Sequence, residues 1–392
     1  MGTHESGRTA RNRYAVPVLA GVLLLMLVVA LVVVLVDSDE PAPPPVAASS
    51  CAEGELVVPI AADPALAPAL EKVAESYSAQ SPEIDEHCVS VQIRPADARG
   101  MLEGLTAASW DPRAHGELPA AWIPESSIWL AAVGTVRPTA LAGGSASLVH
   151  SPVRLAVEPV IARVMGTSLG WSDLPRLTRA RALQAYDRGW WGSLRMAMPR
   201  GAQSDATALA AHAVAAGLTG ARGPLTAAQV TASKVATGLA ELVSAPPRPG
   251  DGSAEAAVAA IAATTAPSRA PVRAVPISEQ RLYALTVGDA RAKVAVLAPR
   301  GPTPVLDYPV AELGGPGVTA TMKSTVARFL EFARRPEQMR VFTRSGFRGA
   351  GRLPASTATV TFGDVGAVLP MPQPEATVAI SRTVLPAAVA GS

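Results

Sequence analysis

Few residues in this chain are typed and spaced for covalent or metal chemistry. There are two cysteines, Cys51 and Cys88, and five histidines, His4, His87, His115, His150 and His212. They form no CxxC, no HExxH and no close histidine pair, so no zinc centre is expected. Gly143-Gly144-Ser145-Ala146-Ser147 misses the serine nucleophile elbow at its last position, and neither a Walker-type loop nor GxGxxG occurs. Asp251-Gly252-Ser253-Ala254-Glu255 imitates a metal-adhesion loop, but it follows a proline-rich break, and Ser253 reads as a helix N-cap. What remains is a series of polar loops: Ala61-Ala62-Asp63, Glu125-Ser126-Ser127, Ser151, Gln203-Ser204-Asp205, Ser278-Glu279 and Asp307-Tyr308. Each taken alone reads as a helix cap. Together, without a nucleophile–base pair, they read as groups that hold a small ligand by hydrogen bonds and do not turn it over. No catalytic residue, metal or cofactor is expected.

These loops fall at the ends of strands. Glu55–Ile60 is a short apolar run that reads as a buried strand. Asp63 is placed to cap a helix with Pro64 in its first turn, and Leu66, Leu70, Val73 and Tyr77 recur at helical spacing. Pro82 ends that helix, and Val89, Val91 and Ile93 alternate as a second strand. The unit is βαβ, with its strands parallel. Cys51 lies just before the first strand and Cys88 at the start of the second, so both reach the same edge of the sheet and a Cys51–Cys88 disulfide is expected. The α/β rhythm continues. Strands are expected at 120–123, 153–157, 194–198, 272–277, 293–297 and 303–308. Helices are expected after 158, over 204–216 and through Val326, Phe329, Leu330 and Ala333. Beyond Arg348 the pattern weakens, and 351–392 reads as a strand-poor, partly disordered tail.

The composition divides the chain. It has 392 residues, 49% hydrophobic but only 4% aromatic, with a formal charge of +2. That near-neutral balance excludes a bulk nucleic-acid binder. Ala15–Val36 carries no charge and is dominated by Leu and Val. At about 1.5 Å per residue, it is long enough to cross a bilayer as a helix. Arg8, Arg11 and Arg13 precede it and Asp37, Asp39 and Glu40 follow, so residues 1–13 are expected to be a cytoplasmic tail and the rest extracellular. A secretory signal has a shorter apolar core and a nearer cleavage site, so 14–36 is read as an uncleaved single-pass anchor in the cell membrane. Pro41, Pro43, Pro44 and Pro45 make 37–50 an extended stalk.

The order of KVAESYSAQSPEIDEHCVSVQI (72–93), AAWIPESSIWL (120–130), LVHSPVRLAV (148–157), LRMAMPRGAQSDATALAAH (194–212), AVPISEQRLYAL (274–285), PTPVLDYPVAEL (302–313) and RVFTRSGFR (340–348) resembles the extracellular solute-binding domains of actinobacterial surface proteins. These have type 2 periplasmic-binding-protein folds, similar to the binding components of transporters for molybdate-like anions and other small solutes. The resemblance implies two α/β lobes around a cleft: 51–150 with 287–350 as the first, and 151–286 as the second. The chain would cross near Ser151–Val157 and return near Thr286–Val296. Carried over, it implies ligand contacts from Ala61, Ala62, Ser126, Ser127, Ser151, Ser204, Glu279 and Tyr308. It implies a small ligand, with molybdate-like anions among the candidate classes, and a permease or envelope protein as partner. Ala61-Ala62 stands where such relatives often place a hydroxyl, which favours the rival reading, a scaffold or sensor ectodomain on a degenerate binding fold. Relatives often continue into a von Willebrand factor A domain, and no DxSxS metal site of that kind occurs here.

Overall fold

The computed structural model describes residues 51–143 and 146–385. The expected membrane helix, the stalk, the cytoplasmic tail and residues 386–392 lie outside the described residues. Among the described residues no helix is long and apolar enough to cross a membrane.

The βαβ unit forms as its sequence dictates. Strand β1 (Gly54–Ala62) buries Val58–Ala62, and helix α1 (Ala67–Ser78) buries Leu70, Val73, Ala74 and Tyr77. After a short strand β2 (Glu83–Ile84), strand β3 (His87–Pro95) buries the alternating Val89, Val91 and Ile93. β1 and β3 are parallel, with Glu55 opposite Cys88. That register brings Cys51 and Cys88 to the same edge, where they are bonded, with Cα atoms 5.2 Å apart. Helix α2 (Ala98–Thr106), strand β4 (Ala121–Ile123) and helix α3 (Ile128–Val136) complete the first pass.

The chain then enters a second sheet through strand β5 (Ser151–Val157), all seven residues of which are buried. Helix α4 (Asp205–Thr219), almost wholly buried along its alanines, and helix α5 (Ser233–Leu242) pack on this side. Strand β6 (Ala274–Ser278), helix α6 (Glu279–Thr286), strand β7 (Ala295–Leu297) and the two-residue strand β8 (Val305–Leu306) follow. β6, β7 and β8 all pair antiparallel with β5. Strand β9 (Ala311–Glu312) returns to the first sheet beside β4, giving the order β2-β3-β1-β4-β9. Helices α7 (Ala320–Ala333) and α8 (Pro336–Arg344) cover α1, and Tyr77 sits with ring centroids 5.5 Å from both Phe329 and Phe332.

Two boundaries differ from the sequence reading. The return does not fall at 286–296: β7 and β8 belong to the second sheet, so the chain comes back between Leu306 and Ala311. The apolar triplet Ala295–Leu297 carries no mark of which sheet edge it will join. The C-terminal stretch is also less loose than expected. It is poor in strands, but Thr303 exchanges backbone hydrogen bonds with Ala367 and Leu369, and helix α9 (Pro374–Val384) buries Ala376, Thr377, Ile380 and Val384. α9 lies against α3 of the first lobe and against α4, α5 and the short helix Ala227–Thr231 of the second. It therefore straddles the two lobes. The 194–198 segment is not a full strand, and only Met196 bridges to Ala274.

Candidate functional site

The parallel strands β1 and β4 end side by side, and the loops leaving their C-terminal ends face the start of α4. This is the edge where open α/β sheets bind ligands. Asp63 follows β1, Glu125 follows β4, and Asp205 opens α4 in the second lobe. All three are buried, at 4%, 3% and 2% exposure. Ser126 Oγ donates to Asp205 Oδ2 at 2.6 Å, and Trp129 Nε1 donates to the same carboxylate at 2.9 Å. The hydrogen bonds cross from one lobe to the other. Arg99 adds another crossing, from its guanidinium to the Arg200 carbonyl at 3.3 Å. The lobes are closed: the space left between Asp63, Glu125, Gln203 and Asp205 is about 10 Å³, at the lower limit for holding one water.

The electrostatics are those of carboxylates withdrawn from water and set near one another. Burial is the main cause of every shift. It raises Asp63 to about 6, against lowering by the Ala65 N–H and Arg281. It raises Asp205 to about 7, against the hydrogen bonds from Ser126 and Trp129 and with the help of the Asp63 and Asp307 charges. Glu125, flanked by Asp205 and Asp63, is raised well above the usual carboxylate range. Tyr308 is fully buried and its phenol is also pushed up, first by burial and then by Glu125, Asp63 and Asp205. Neither Tyr308 Oη nor Glu125 Oε2 has a hydrogen-bond partner. Arg281 is the cation that lowers these groups, and its Nε is already paired with Glu255. Two residues here sit at left-handed backbone angles, Gln203 at φ 58° and Tyr308 at φ 37°. Such strain in non-glycine residues concentrates at binding sites.

The residues read from sequence sort into two groups. Ser126, Ser127, Ser204 and Tyr308 do lie at this junction. Ser127 N–H donates to Asp307 Oδ1 at 2.8 Å, and its hydroxyl also donates to that carboxylate. Ser204 Oγ donates to the Gly201 carbonyl, tightening the turn before α4. The other four belong to the framework. Ala61 and Ala62 are interior residues of β1, in register with Trp122 and Ile123. Ser151 Oγ accepts from the Gln280 N–H at 2.9 Å and so caps α6. Glu279 is neutralised by Arg348, whose Nε and Nη2 lie 2.6 and 3.1 Å from its two oxygens.

The groups that sequence reasoning passed over are the acids themselves, together with Trp129, Gln203 and Arg281. Asp63, Glu125, Asp205 and Asp307 each stood beside a residue that was singled out. Asp63 caps the turn that leads into α1, its Oδ1 accepting from the Ala65 N–H and its carbonyl from the Ala67 N–H, although the regular helix starts only at Ala67. An oxyanion at this junction would meet the carboxylates of Asp63, Glu125 and Asp205 beside two cations, Arg281, already paired with Glu255, and Arg99, which lines the same cavity and donates to the Arg200 carbonyl. Among the described residues no three His, Cys, Asp or Glu side chains are arranged to hold a metal ion.

Two sheets, one long central crossing and a cleft at the C-terminal strand ends define a two-lobed binding protein. Solved structures agree. The chain is similar in fold to iron-bound HitA from Pseudomonas aeruginosa, with TM-score 0.53 and 13% identity over 84% of this chain and 99% of that one. A ferric binding protein from Campylobacter jejuni matches with TM-score 0.54 and 10% identity, over 84% and 99%. Residues 58–348 match the family described as bacterial extracellular solute-binding protein, and the chain belongs to that family. An uncharacterized protein of Mycobacterium tuberculosis is 33% identical over 315 residues. That match covers 80% of this chain and 45% of the relative, so the chain spans about half the length of the curated relatives it matches.

Proposed function

We propose that this chain is a solute-binding protein tethered to the outer face of the cell membrane through residues 15–36. It captures a small solute between its lobes, at the junction of Asp63, Glu125, Ser126, Asp205 and Tyr308. The observation that carries this reading is the contact of Asp205 in one lobe with Ser126 and Trp129 in the other, around polar groups left without partners. With only about 10 Å³ between the lobes, a solute enters by hinge opening about the segments that cross between the sheets. A permease or another envelope protein then receives the loaded lobes.

The second reading is a scaffold or sensor ectodomain that no longer takes a solute. The straddling α9 favours it, because opening the cleft must break or shift a contact that a simple two-segment hinge lacks. Thermal unfolding of the full chain in mild detergent, against a panel of small solutes, separates the two. A bound solute at 100 times its Kd adds about 2.7 kcal/mol to stability, read as a rise in Tm. No shift with any solute class would leave the scaffold reading.

A further inference from the structure

We infer that the solute is a small organic cation bearing an ammonium or guanidinium group. The inference rests on the solute-binding reading above and adds the ligand class. Asp63, Glu125 and Asp205 line one small cavity from three separate loops, and a fourth carboxylate, Asp307, accepts from Ser127, the residue after Ser126. A buried carboxylate needs a compensating charge or a proton. Arg281 is engaged with Glu255, and Arg99, which lines the same cavity, donates to the Arg200 carbonyl, so neither neutralises all of these acids. In the closed arrangement burial, joined at Glu125 and Asp205 by the neighbouring acids, raises these groups, which favours a proton as the compensating partner.

Two atoms show what is missing. Among the described residues Glu125 Oε2 is a buried acceptor without a donor, and Tyr308 Oη, fully buried, has no partner. Buried polar groups in folded proteins are nearly always hydrogen-bonded, and both of these oxygens can accept a hydrogen bond from an N–H. When the lobes part, Asp205 leaves Ser126 and Trp129. An ammonium or guanidinium group that then reaches carboxylates of both lobes replaces the protons and holds the lobes together by charge-assisted bonds. A bare metal ion is the poorer fit, because no three of the described ligating side chains are arranged around one point.

Isothermal titration calorimetry of the full chain in mild detergent tests this, with putrescine and agmatine as organic cations. Calcium chloride, sodium molybdate and maltose serve as the other classes. At least one amine should bind one-to-one at pH 8, with proton release, and tenfold or more weaker at pH 5.5, where protons hold the carboxylates. Glu125→Gln should keep the fold, as shown by an unchanged or higher Tm, and weaken the amine tenfold or more. Binding of molybdate, maltose or calcium with both amines silent would overturn the cation assignment and leave the solute-binding reading standing. Silence from every probe would overturn both. Amine binding that Glu125→Gln leaves unchanged would place the cation elsewhere and overturn the inference.

Discussion

The molecule buries two groups of charges, and they are built oppositely. Near β5, Glu279 is flanked by Arg348 at 2.6 Å and Arg154 at 4.0 Å, and Arg348 also donates to the Gly363 carbonyl. Both oxygens of the carboxylate are used, and cations outnumber the anion. At the cleft Asp63, Glu125 and Asp205 line one cavity together with Arg99, and among the described residues an oxygen of Glu125 is unpaired. A satisfied cluster ties segments together, here β5, α6 and the stretch after α8. An unsatisfied one keeps a deficit that something else must fill. The difference identifies which buried carboxylates are framework and which are site, although all are equally hidden.

Breaking the satisfied cluster should have the largest effect. Glu279→Ala leaves two buried arginines without their carboxylate, at a cost of about 3–5 kcal/mol, measured by urea unfolding. The cleft should respond to pH instead. A carboxyl raised in the folded state binds its proton more tightly there than in the unfolded chain. Its stabilisation is full below the ordinary carboxylate range and is lost as pH rises towards about 6 for Asp63 and about 7 for Asp205. Tm should therefore fall between pH 4.5 and 8, and Asp205→Asn should flatten that slope and raise Tm at pH 8. A flat wild-type profile would mean that the acids are not withdrawn from water. Smaller still is Ser126→Ala, which removes a hydrogen bond to Asp205 and should cost about 1.5 kcal/mol at pH 8, and less at pH 5, by urea unfolding. The smallest effect belongs to Tyr308→Phe. Its buried hydroxyl has no partner to lose among the described residues, so stability should be unchanged or rise by about 1 kcal/mol, while solute affinity falls in calorimetry. A large loss of stability would show that the hydroxyl is bonded after all.

The frame of this protein was readable because it obeys local rules. Alternating Val89, Val91 and Ile93 and the helical spacing of Leu70, Val73 and Tyr77 set their own elements, and the parallel register followed, with the disulfide at its edge. The resemblance supplied the two lobes. The site was half readable. Every acid of the cleft lay in a loop singled out for its polarity, yet attention went to Ser126, Ser127 and Ser204 because hydroxyls are familiar ligand groups. Nothing local distinguishes Glu279 from Glu125. Each follows a short apolar strand, and only the distant partners differ: Arg348 for one, Asp63 and Asp205 for the other. The return strand was misplaced for the same reason, since β7 is assigned by the β5 edge it meets and not by its own three residues. Helix α9 gives little signal because its buried face mixes Ala376, Thr377 and Ser381 with only two large apolar residues, Ile380 and Val384.

The interrupted first sheet has a consequence for the order in which the protein can be completed. The second lobe is one unbroken stretch of chain, and its strands can all pair once Leu306 has been made. The first sheet cannot. The outer edge of β4 waits for Ala311–Glu312, and the face of α1 waits for α7 and α8. During synthesis the earliest half of the protein is thus the last to close, carrying an open strand edge and bare Tyr77 meanwhile. Sequence-distant pairings of this kind slow folding and invite wrong partners. The Cys51–Cys88 link joins residues that are both made early, so it can fasten β1 to β3 while the rest of the sheet is still to come.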